Sequence, residues 1–319
     1  MPKERSVDLT RIHAAFSSRY HEIIFWEARE CPKFLSHALT LNLPHLPNND
    51  WEDRFAWGGV FVNGKDTRED LPLVAPCRIE YYEPLYDFKN PGSFFPAFSK
   101  DWIIFEDQDL VVCYKPNRLP TIPAREQTRF NLRCYLESYY KTPVHMPSRI
   151  DMSTQGLVIA SKAERMHNKL QNLFVHHTIQ KEYLFLGSGA VNWSEIICNG
   201  QIGKDPRHPV LRKVVDQAGK PAVTKFTVLH TSLHGAQSDQ AQPTTLVLAQ
   251  PLTGRTHQIR VHTAYLDLPI VGDNFYGGYV AESLHLLSYR LAFTHPFTQE
   301  RLNIRVPHKL LPTWAESLQ

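Results

Sequence analysis

Three short clusters of polar residues contain side chains that could carry out chemistry. The first runs from Ser148 to Gly156 and places Arg149 two positions before Asp151. In an extended segment these two side chains project to the same side, which puts a guanidinium beside a carboxylate. Such a carboxylate can serve as a nucleophile or as a proton acceptor. Taken alone, the cluster is more typical of a surface turn with an ion pair that has no function.

The second cluster is Lys181-Glu182-Tyr183. Because side chains alternate along a strand, we expect Lys181 and Tyr183 on one face. Tyrosine is a common strand residue, so a half-buried structural tyrosine is the more typical interpretation of this cluster by itself.

The third cluster, Gly254 to His262, is the densest, since it carries two arginines, two histidines and a glutamine after a glycine turn. A helix start with a purely structural role rarely needs so many donors. His257 and His262 are five positions apart and do not share a helix face, which makes them a poor pair of metal ligands. The cluster favours the binding of an anion or the orientation of a carboxylate.

A basic stretch over residues 201–225 could contact the phosphates of a nucleic acid and position it without reading its sequence. The same stretch is also typical of a solvated loop, and the sequence leaves both interpretations open. Its basic residues are Lys204, Arg207, Arg212, Lys213, Lys220 and Lys225.

Regular elements must position these clusters. The spacing predicts a helix over 258–266 with Thr256 as its N-cap, and a buried strand over 156–160 directly after the first cluster. A strand over 182–186 carries the second cluster. The other predicted elements are two short strands within 103–114, strands over 226–230 and 244–248, and helices over 132–140 and 166–174. Together they indicate an α+β fold with a mixed, mostly antiparallel sheet.

The N-terminal residues 20–85 are predicted to form a small unit of their own. Apolar spacing predicts a helix over 20–43. An Asn-Gly pair at residues 63–64 closes a predicted hairpin, because both residue types tolerate positive φ. A strand is predicted over 78–82, and a proline-rich, aromatic stretch over 84–101 is interpreted as a linker.

The composition is that of an ordinary globular protein, with 42% hydrophobic and 21% charged residues and a net charge of +3. Any surface for nucleic acid must therefore come from clustered positive charge. The N-terminus lacks the apolar segment of a signal peptide, and no apolar run is long enough for a membrane helix. Five cysteines stand apart without a C-x-x-C pair, which argues against a disulfide framework and a thiolate metal site. We expect a cytoplasmic protein that does not bind membranes.

The first cluster resembles the catalytic segment of the RluA-type RNA pseudouridine synthases. In that family a segment of the form H-R-L-D-x-x-T-S-G holds the catalytic aspartate. Residues 148–156 are similar to it, although Ser148, Ile150 and Gln155 replace the usual His, Leu and Ser. The aspartate, the arginine before it and the final glycine are retained.

The other two clusters extend this resemblance in the same order. Lys181 and Tyr183 match the family's K-x-Y strand, and residues 254–262 match G-R-T/S-H-Q-I/L-R-V-H throughout. Smaller matches lie at 106–120, 219–224, 269–277, 284–285 and 293–296. The resemblance covers residues 102–307, and the ordered set of motifs is far more specific than any one of them.

The resemblance implies a pseudouridine synthase catalytic domain over 102–312. No cofactor or metal is expected, because the reaction detaches the uracil ring from the sugar and rejoins it through carbon without losing an atom. Asp151 would be the catalytic residue, either as a nucleophile or as the acceptor of a sugar proton. Arg260 would keep this carboxylate ionised. Tyr183 would stack on the target ring and is a candidate for the final proton transfer.

The substrate contacts are implied in the same way. Arg149 would fill the gap left by the nucleotide that is flipped out of the RNA, and the cost of flipping favours structured RNA with loops or distorted helices. The other substrate-binding residues would be Thr154, Lys181, Arg255, His257 and Gln258.

The front of the chain resembles, on fewer positions, the S-four-like RNA-binding domain that is shared with a small-subunit ribosomal protein. The similarity lies at Arg54, at 58–65 and at 79–81, whereas Cys77-Arg78 replace the usual Gly-Asp. It implies an RNA-binding domain over 20–85. It favours large-subunit ribosomal RNA as the substrate, with transfer RNA as the alternative, and we expect a monomer.

Three other classes of function fit the sequence less well. An RNA-binding protein without catalysis would not need a carboxylate aimed at a sugar, which the combination of Asp151, Tyr183 and Arg260 provides. A nucleoside or glycoside hydrolase needs two carboxylates or a metal, and the sequence offers no convincing second acid. A structural or interaction module fits least, because dense polar motifs occur at three separate points.

Overall fold

The computed structural model describes residues 18–27, 31–46, 50–57, 59–84, 94–123, 129–208, 210–234 and 242–318. The chain divides into two compact units. The small unit comprises the described residues within 13–97 and 118–136, and the large unit comprises the described residues within 98–117 and 137–319. The domain boundaries predicted from the sequence stay predictions, and residues 85–93 of the predicted linker lie outside the described residues.

The small unit is built on a four-stranded antiparallel sheet with the strand order β1-β4-β2-β3. Its strands are β1 (Ser18–Trp26), β2 (Val60–Val62), β3 (Lys65–Asp66) and β4 (Cys77–Pro84), and its helices are α1 (Leu35–Asn42) and α2 (Trp51–Trp57). Apolar side chains of both helices and of the sheet form one core, which includes Leu35, Leu39, Phe55, Ile79 and Tyr81.

The predicted helix over 20–43 is wrong in its first half, because residues 18–26 form β1. Ile24 is buried, whereas Ile23 and Phe25 are exposed. This alternation is that of a strand with one face on the core. A helix, α1, begins only after this strand, and residues 28–30 lie outside the described residues.

The predicted hairpin of the small unit is confirmed. Asn63 and Gly64 connect β2 to β3 and have φ values of 50° and 79°. Two successive positive φ angles are what a tight two-residue hairpin turn requires. The strand predicted over 78–82 lies within β4.

The large unit is built on a ten-stranded sheet. The strand order is β10-β9-β11-β12-β8-β13-β7-β6-β5, and β14 pairs with β13. The strands are β5 (Ile103–Glu106), β6 (Leu110–Lys115), β7 (Gln155–Ser161), β8 (Gln180–Ser188), β9 (Glu195–Lys204), β10 (Arg212–Val215), β11 (Lys220–His234), β12 (Gln242–Pro251), β13 (Leu286–Thr294) and β14 (Arg301–Arg305). The helices that follow α2 along the chain are α3 (Leu132–Tyr140), α4 (Glu164–Val175) and α5 (Gln258–Tyr265). Within the described residues every strand pair of this sheet is antiparallel except β7 with β13, which confirms the predicted mixed, mostly antiparallel α+β fold.

The parallel pair β7–β13 fixes the strand that follows the first polar cluster. Gln155 and Gly156 pair with Leu287 and Ser288. Gly156 has a φ of 113°, and a Cβ atom there would lie 2.2 Å from the carbonyl oxygen of Ser288. Only glycine lets the two backbones approach so closely. This glycine therefore anchors the end of the loop that carries Asp151.

The other two clusters lie on the centre of the sheet and on the helix that covers it. Tyr183 of β8 stands opposite Ala249 of β12 and Ser288 of β13. The helix α5 packs on the sheet through Ile259 and Val261. Among the described residues no helix combines the length and the apolar character that crossing a bilayer requires.

Candidate active site

Asp151 lies in a tight turn directly before β7. Its carbonyl oxygen accepts a hydrogen bond from the backbone N–H of Thr154 at 3.0 Å. The buried ammonium of Lys115 donates to the carbonyl oxygen of the neighbouring Met152 at 3.1 Å. The Asp151 side chain is 31% exposed. The turn is thus held from within, while its carboxylate stays accessible to a ligand.

Arg260 of α5 holds this carboxylate. Its Nη1 donates to Oδ2 of Asp151 at 3.1 Å, and its Nε and Nη2 donate to the two oxygens of Asp273 at 2.9 and 2.7 Å. Asp273 is fully buried and also accepts the backbone N–H groups of Phe275 and Tyr276. A guanidinium bound in this bidentate way has a fixed orientation. Asp273 therefore aims the remaining edge of Arg260 at Asp151.

The electrostatics of the site favour an ionised Asp151. Burial alone would raise the pKa of Asp151, but the guanidinium groups of Arg260 and Arg149 lower it, and the net shift is downward. For Arg260 burial opposes the charge, but the carboxylates of Asp273 and Asp151 outweigh it and raise the pKa of the guanidinium. An ionised carboxylate is what a nucleophile or a proton acceptor needs.

Tyr183 lies close enough to Asp151 to be affected by its charge. Burial is the main cause that raises the pKa of Tyr183 to about 12; a hydrogen bond with the Ser288 side chain opposes the shift, and the negative charge of Asp151 adds to it. Tyr183 therefore keeps its proton near neutral pH. Arg260 contacts Asp151 directly and the charge of Asp151 reaches Tyr183, while the catalytic roles of the three residues stay predictions.

His257 occupies the N-cap position of α5, so the N-cap predicted at Thr256 is wrong. His257 has a φ of 57°, in the left-handed region, and its side chain does not cap the helix. Its Nε2 lies 3.7 Å from Oδ2 of Asp151, and its Nδ1 lies 2.8 Å from the hydroxyl of Tyr276. Burial is the main cause that lowers the pKa of His257 to about 4, although Asp151 opposes the shift.

Gln258 holds the turn before α5 in the place of a capping threonine. Its Oε1 accepts from the backbone N–H of Arg255 at 3.0 Å and from the hydroxyl of Thr253 at 2.7 Å. Its Nε2 donates to the carbonyl oxygen of Val223 and to the hydroxyl of Thr224. The residue is buried. Because its amide is engaged inside the protein, Gln258 positions this turn, and the substrate contact predicted for Gln258 stays a prediction.

The other predicted substrate contacts differ in accessibility. Thr154 is buried and contributes its backbone N–H to the turn of Asp151. Arg149 is exposed. Lys181 is half-buried, which lowers the pKa of its ammonium, and its Nζ lies 3.8 Å from the position that a Cβ at Gly254 would take. Arg255 donates through Nε to the carbonyl oxygen of Pro221.

The basic stretch 201–225 forms the hairpin β9–β10 and the start of β11, and one of its basic residues, Arg212, contacts the site through its backbone. The backbone N–H of Arg212 donates to the hydroxyl of Tyr276 at 3.1 Å. Arg207 pairs with the buried carboxylate of Asp205 at 2.5 Å. Contact of this stretch with phosphate stays a prediction.

Three residues of the site were given no role from the sequence: Asp273, Tyr276 and Lys115. The first two belong to a motif match at 269–277, which was the available signal. Lys115 is fully buried, and burial lowers its pKa to about 7, against the opposing effect of Asp151. Within the part of the chain that the structure describes, no group of three or more His, Cys, Asp or Glu side chains could hold a metal ion.

Comparison with known proteins identifies the family. The family model for RNA pseudouridylate synthase matches residues 109–265. The ribosomal large subunit pseudouridine synthase C of Vibrio vulnificus is 34% identical over 276 residues, which cover 78% of this chain and 81% of that protein. The dual-specificity RNA pseudouridine synthase RluA of Vibrio parahaemolyticus is 32% identical, with 68% of this chain and 86% of that protein covered.

A solved structure agrees with these relatives. The human RNA pseudouridylate synthase domain containing 1 is 25% identical, has a TM-score of 0.55, and is covered over 84% of its length by 66% of this chain. The resemblance inferred from the ordered motifs is thereby confirmed. The chain belongs to the RluA-type family of RNA pseudouridine synthases, isomerases that act on uridines of RNA.

Proposed function

We propose that this enzyme forms pseudouridine in large-subunit ribosomal RNA and that Asp151 is its reacting carboxylate. One observation carries the assignment of the residue: the carboxylate of Asp151 is partly exposed and is held at a single oxygen by a guanidinium that Asp273 orients. The reaction needs a charged carboxylate at the sugar, and the lowered pKa of Asp151 supplies it near neutral pH.

Tyr183 and Arg149 complete the proposed handling of the nucleotide. Tyr183 offers an aromatic ring within reach of the charge of Asp151 for stacking on the uracil, and its hydroxyl stays protonated near neutral pH. Arg149 is exposed next to the catalytic turn and can occupy the space that a flipped nucleotide leaves. Extruding a base costs a few kcal/mol, and the cost is least in loops and distorted helices. Structured RNA is therefore the proposed class of substrate.

The choice of large-subunit ribosomal RNA is supported by the extent of one similarity. The match to the large-subunit enzyme of Vibrio vulnificus covers 78% of this chain, whereas the match to the dual-specificity enzyme covers 68%. Residues 102–312 make up about two thirds of the chain. The first similarity therefore extends beyond the predicted catalytic domain. Transfer RNA remains the alternative substrate, and we propose that the enzyme acts as a cytoplasmic monomer.

Two experiments test the two parts of this proposal. Tritium release from RNA labelled at carbon five of uracil should be lost in Asp151→Ala, while binding of the same RNA is retained. Wild-type release by this variant would disprove the assignment of Asp151. Mapping of pseudouridines in total RNA with and without the gene should show a missing position in large-subunit ribosomal RNA. A position missing only from transfer RNA would select the alternative substrate.

A further inference from the structure

Two hydrogen bonds and one longer contact connect the backbone of β10 to the turn that carries Asp151. The backbone N–H of Arg212 donates to the hydroxyl oxygen of Tyr276 at 3.1 Å. The same hydroxyl lies 2.8 Å from Nδ1 of His257. The other ring nitrogen of His257, Nε2, lies 3.7 Å from Oδ2 of Asp151. Tyr276 therefore connects a main-chain donor to the ring that stands beside Asp151.

Chemistry fixes the direction of the first of these hydrogen bonds, and the assignment of the next one follows from it. A backbone N–H can only donate, so the Tyr276 oxygen is the acceptor from Arg212. With one donor for each acceptor, the proton of the Tyr276 hydroxyl goes to Nδ1 of His257, which then accepts it. A neutral imidazole carries one proton, and when Nδ1 is the acceptor this proton sits on Nε2. The N–H of His257 consequently faces the carboxylate of Asp151.

Arg260 and His257 both direct an N–H group at the same oxygen of the Asp151 carboxylate. Arg260 Nη1 lies 3.1 Å from Oδ2 of Asp151, and the nearest approach of His257 is also to Oδ2. The distance of 3.7 Å from His257 is longer than a hydrogen bond, so the N–H acts there as an oriented dipole, and a shift of about 0.7 Å would close the bond. Oδ1 is the oxygen that remains for the nucleotide.

We propose that Tyr276 is a positioning residue that fixes the tautomer of His257, so that His257 and Arg260 together hold Oδ2 of Asp151 and leave Oδ1 as the reacting oxygen. This inference rests on the proposed role of Asp151. It gives His257 a task that its sequence motif does not reveal, namely to direct an N–H at the carboxylate without carrying a charge.

Burial keeps the imidazole of His257 neutral near neutral pH. Burial is the largest cause of its lowered pKa of about 4; Asp151 and Asp273 oppose the shift, and Arg260 and Arg212 add to it. Because the ring holds a single proton near neutral pH, its tautomer is a defined property that one hydrogen bond can set.

The backbone at His257 supports a functional reason for the ring's position. The residue adopts a φ of 57°, which non-glycine residues seldom use and which His, Asn and Asp tolerate best. This conformation turns the side chain away from capping α5 and places it between Asp151 and Tyr276. Strain of this kind is retained mostly at functional sites.

Nitrogen NMR of the protein labelled with ¹⁵N-histidine tests the tautomer directly and independently of activity. The expected spectrum assigns the proton of His257 to Nε2 in the wild type, with His257→Gln used to identify the signal. In Tyr276→Phe the Nδ1–H form should appear, and the pH at which the ring gains a second proton should rise, because no hydroxyl then competes for Nδ1. A wild-type ring protonated at Nδ1, or an unchanged tautomer in Tyr276→Phe, would overturn the proposal.

Kinetics give the second test. Tyr276→Phe keeps the aromatic ring and should lower kcat by about 10-fold with little change in KM, which is the usual size of an effect on a group that orients a catalytic residue. Tyr265→Phe is the matched control, because Tyr265 is an exposed tyrosine at the end of α5. Equal kcat values for Tyr276→Phe and Tyr265→Phe would contradict the proposal.

Two replacements of His257 test the roles of its two ring nitrogens separately. Asparagine can reproduce the Nδ1 position and tolerates the left-handed backbone, whereas glutamine can place an amide N–H where Nε2–H lies. His257→Gln should therefore retain more activity than His257→Asn. The reverse order would show that the N–H at Asp151 is dispensable. Retained activity in Asp151→Ala would instead remove the proposed role of Asp151 and leave the NMR result on the tautomer unaffected.

Discussion

Two buried arginines, one in each unit, have similar surroundings and different uses. Arg260 in the large unit and Arg54 in the small unit have side chains that are 4% and 5% exposed, and each guanidinium lies against two aromatic rings. The rings are Phe275 and Tyr276 at 4.5 and 5.3 Å from Arg260, and Trp51 and Tyr81 at 5.8 and 5.9 Å from Arg54.

The difference lies in the acids that the two arginines bind. Arg54 bonds to Glu83 and to the hydroxyl of Tyr81, and this hydroxyl donates to the same oxygen of Glu83, whose side chain is only 13% exposed. Arg260 binds one fully buried acid, Asp273, and a second one, Asp151, that is 31% exposed. A buried ion pair alone is a structural feature. An accessible acid on an arginine that another acid has already oriented indicates a reactive site.

The sharpest test of this comparison removes the charge of one acid beside each arginine. Asp151→Asn should lower kcat at least about 1,000-fold, because the amide can neither attack nor accept a proton. Glu83→Gln should leave kcat on a short RNA stem-loop unchanged. Single-turnover assays of both variants measure the contrast. A large loss of kcat in Glu83→Gln would mean that the small unit takes part in the chemistry.

Removing each arginine should separate stability from activity. Arg260→Met and Arg54→Met each leave a buried acid without its cation, and each should reduce the free energy of unfolding by about 3–5 kcal/mol. Only Arg260→Met should also abolish turnover. Hydrogen exchange followed by mass spectrometry can locate the loss of protection, in α5 for Arg260→Met and in β4 for Arg54→Met. Loss of turnover per folded molecule in Arg54→Met would show that Arg54, like Arg260, is needed for activity.

A buried lysine near the exposed acid gives the large unit a pH dependence of its own. Burial lowers the pKa of Lys115 to about 7, whereas a lysine in the unfolded chain titrates near about 10.4. Below pH 7 both states carry the proton and the cost of burying the charge is fully present. Between these values the unfolded state binds more protons, so Lys115 makes stability rise by about 1.4 kcal/mol per pH unit.

Lys115→Met should remove this contribution. Urea unfolding at pH 7, 8 and 9 gives the free energy of unfolding of the wild type and of the variant. The contribution of Lys115 is the amount by which the difference between these two free energies changes with pH. Differences that stay constant over this range would show that Lys115 is charged in the folded protein throughout.

The smallest expected effect comes from removing the hydroxyl of Tyr81, which bonds to Arg54 and Glu83 in the small unit. Tyr81→Phe removes a hydrogen bond between buried groups while keeping the ring, and it should reduce stability by about 1 kcal/mol. It should not change kcat, in contrast to the decrease expected for Tyr276→Phe. Thermal unfolding and tritium release measured on the same preparations compare the two tyrosines. A change in kcat for Tyr81→Phe would contradict the view that the residues around Arg54 serve stability while those around Arg260 serve activity.

Most strands of the large unit could be predicted from the sequence because their patterns are local. The apolar run at 156–160 and the spacing of Met166, Leu170 and Phe174 depend only on near neighbours, and both elements are present as β7 and α4. The strand β1 was not predicted, because the spacing of its apolar residues also fits one face of a helix. This spacing conceals the alternation of buried and exposed side chains that is typical of a strand. Its pairing with β4 decides the outcome, and that partner is more than fifty residues away.

The site itself was only partly predictable, for a similar reason. Asp151, Tyr183 and Arg260 stand in recognisable motifs, whereas the orienting role of Asp273 depends on a hydrogen bond across the folded site. The N-cap at Thr256 was a reasonable local prediction, but the buried amide of Gln258 satisfies the turn and leaves His257 in the left-handed conformation. Donor and acceptor relations of this kind follow from tertiary packing and not from residue spacing.

The close approach of Gly156 to β13 has a consequence for the order in which the enzyme is made. The hydroxyl of Ser288 donates to the carbonyl oxygen of Leu157 at 2.9 Å, across a sequence separation of 131 residues. A nascent chain that has emerged through Arg260 already contains Asp151, Tyr183 and Arg260, yet it lacks the strand on which the loop of Asp151 rests. Contacts between such distant segments form late and slowly. Translation must therefore proceed past β13 before the polypeptide can acquire activity.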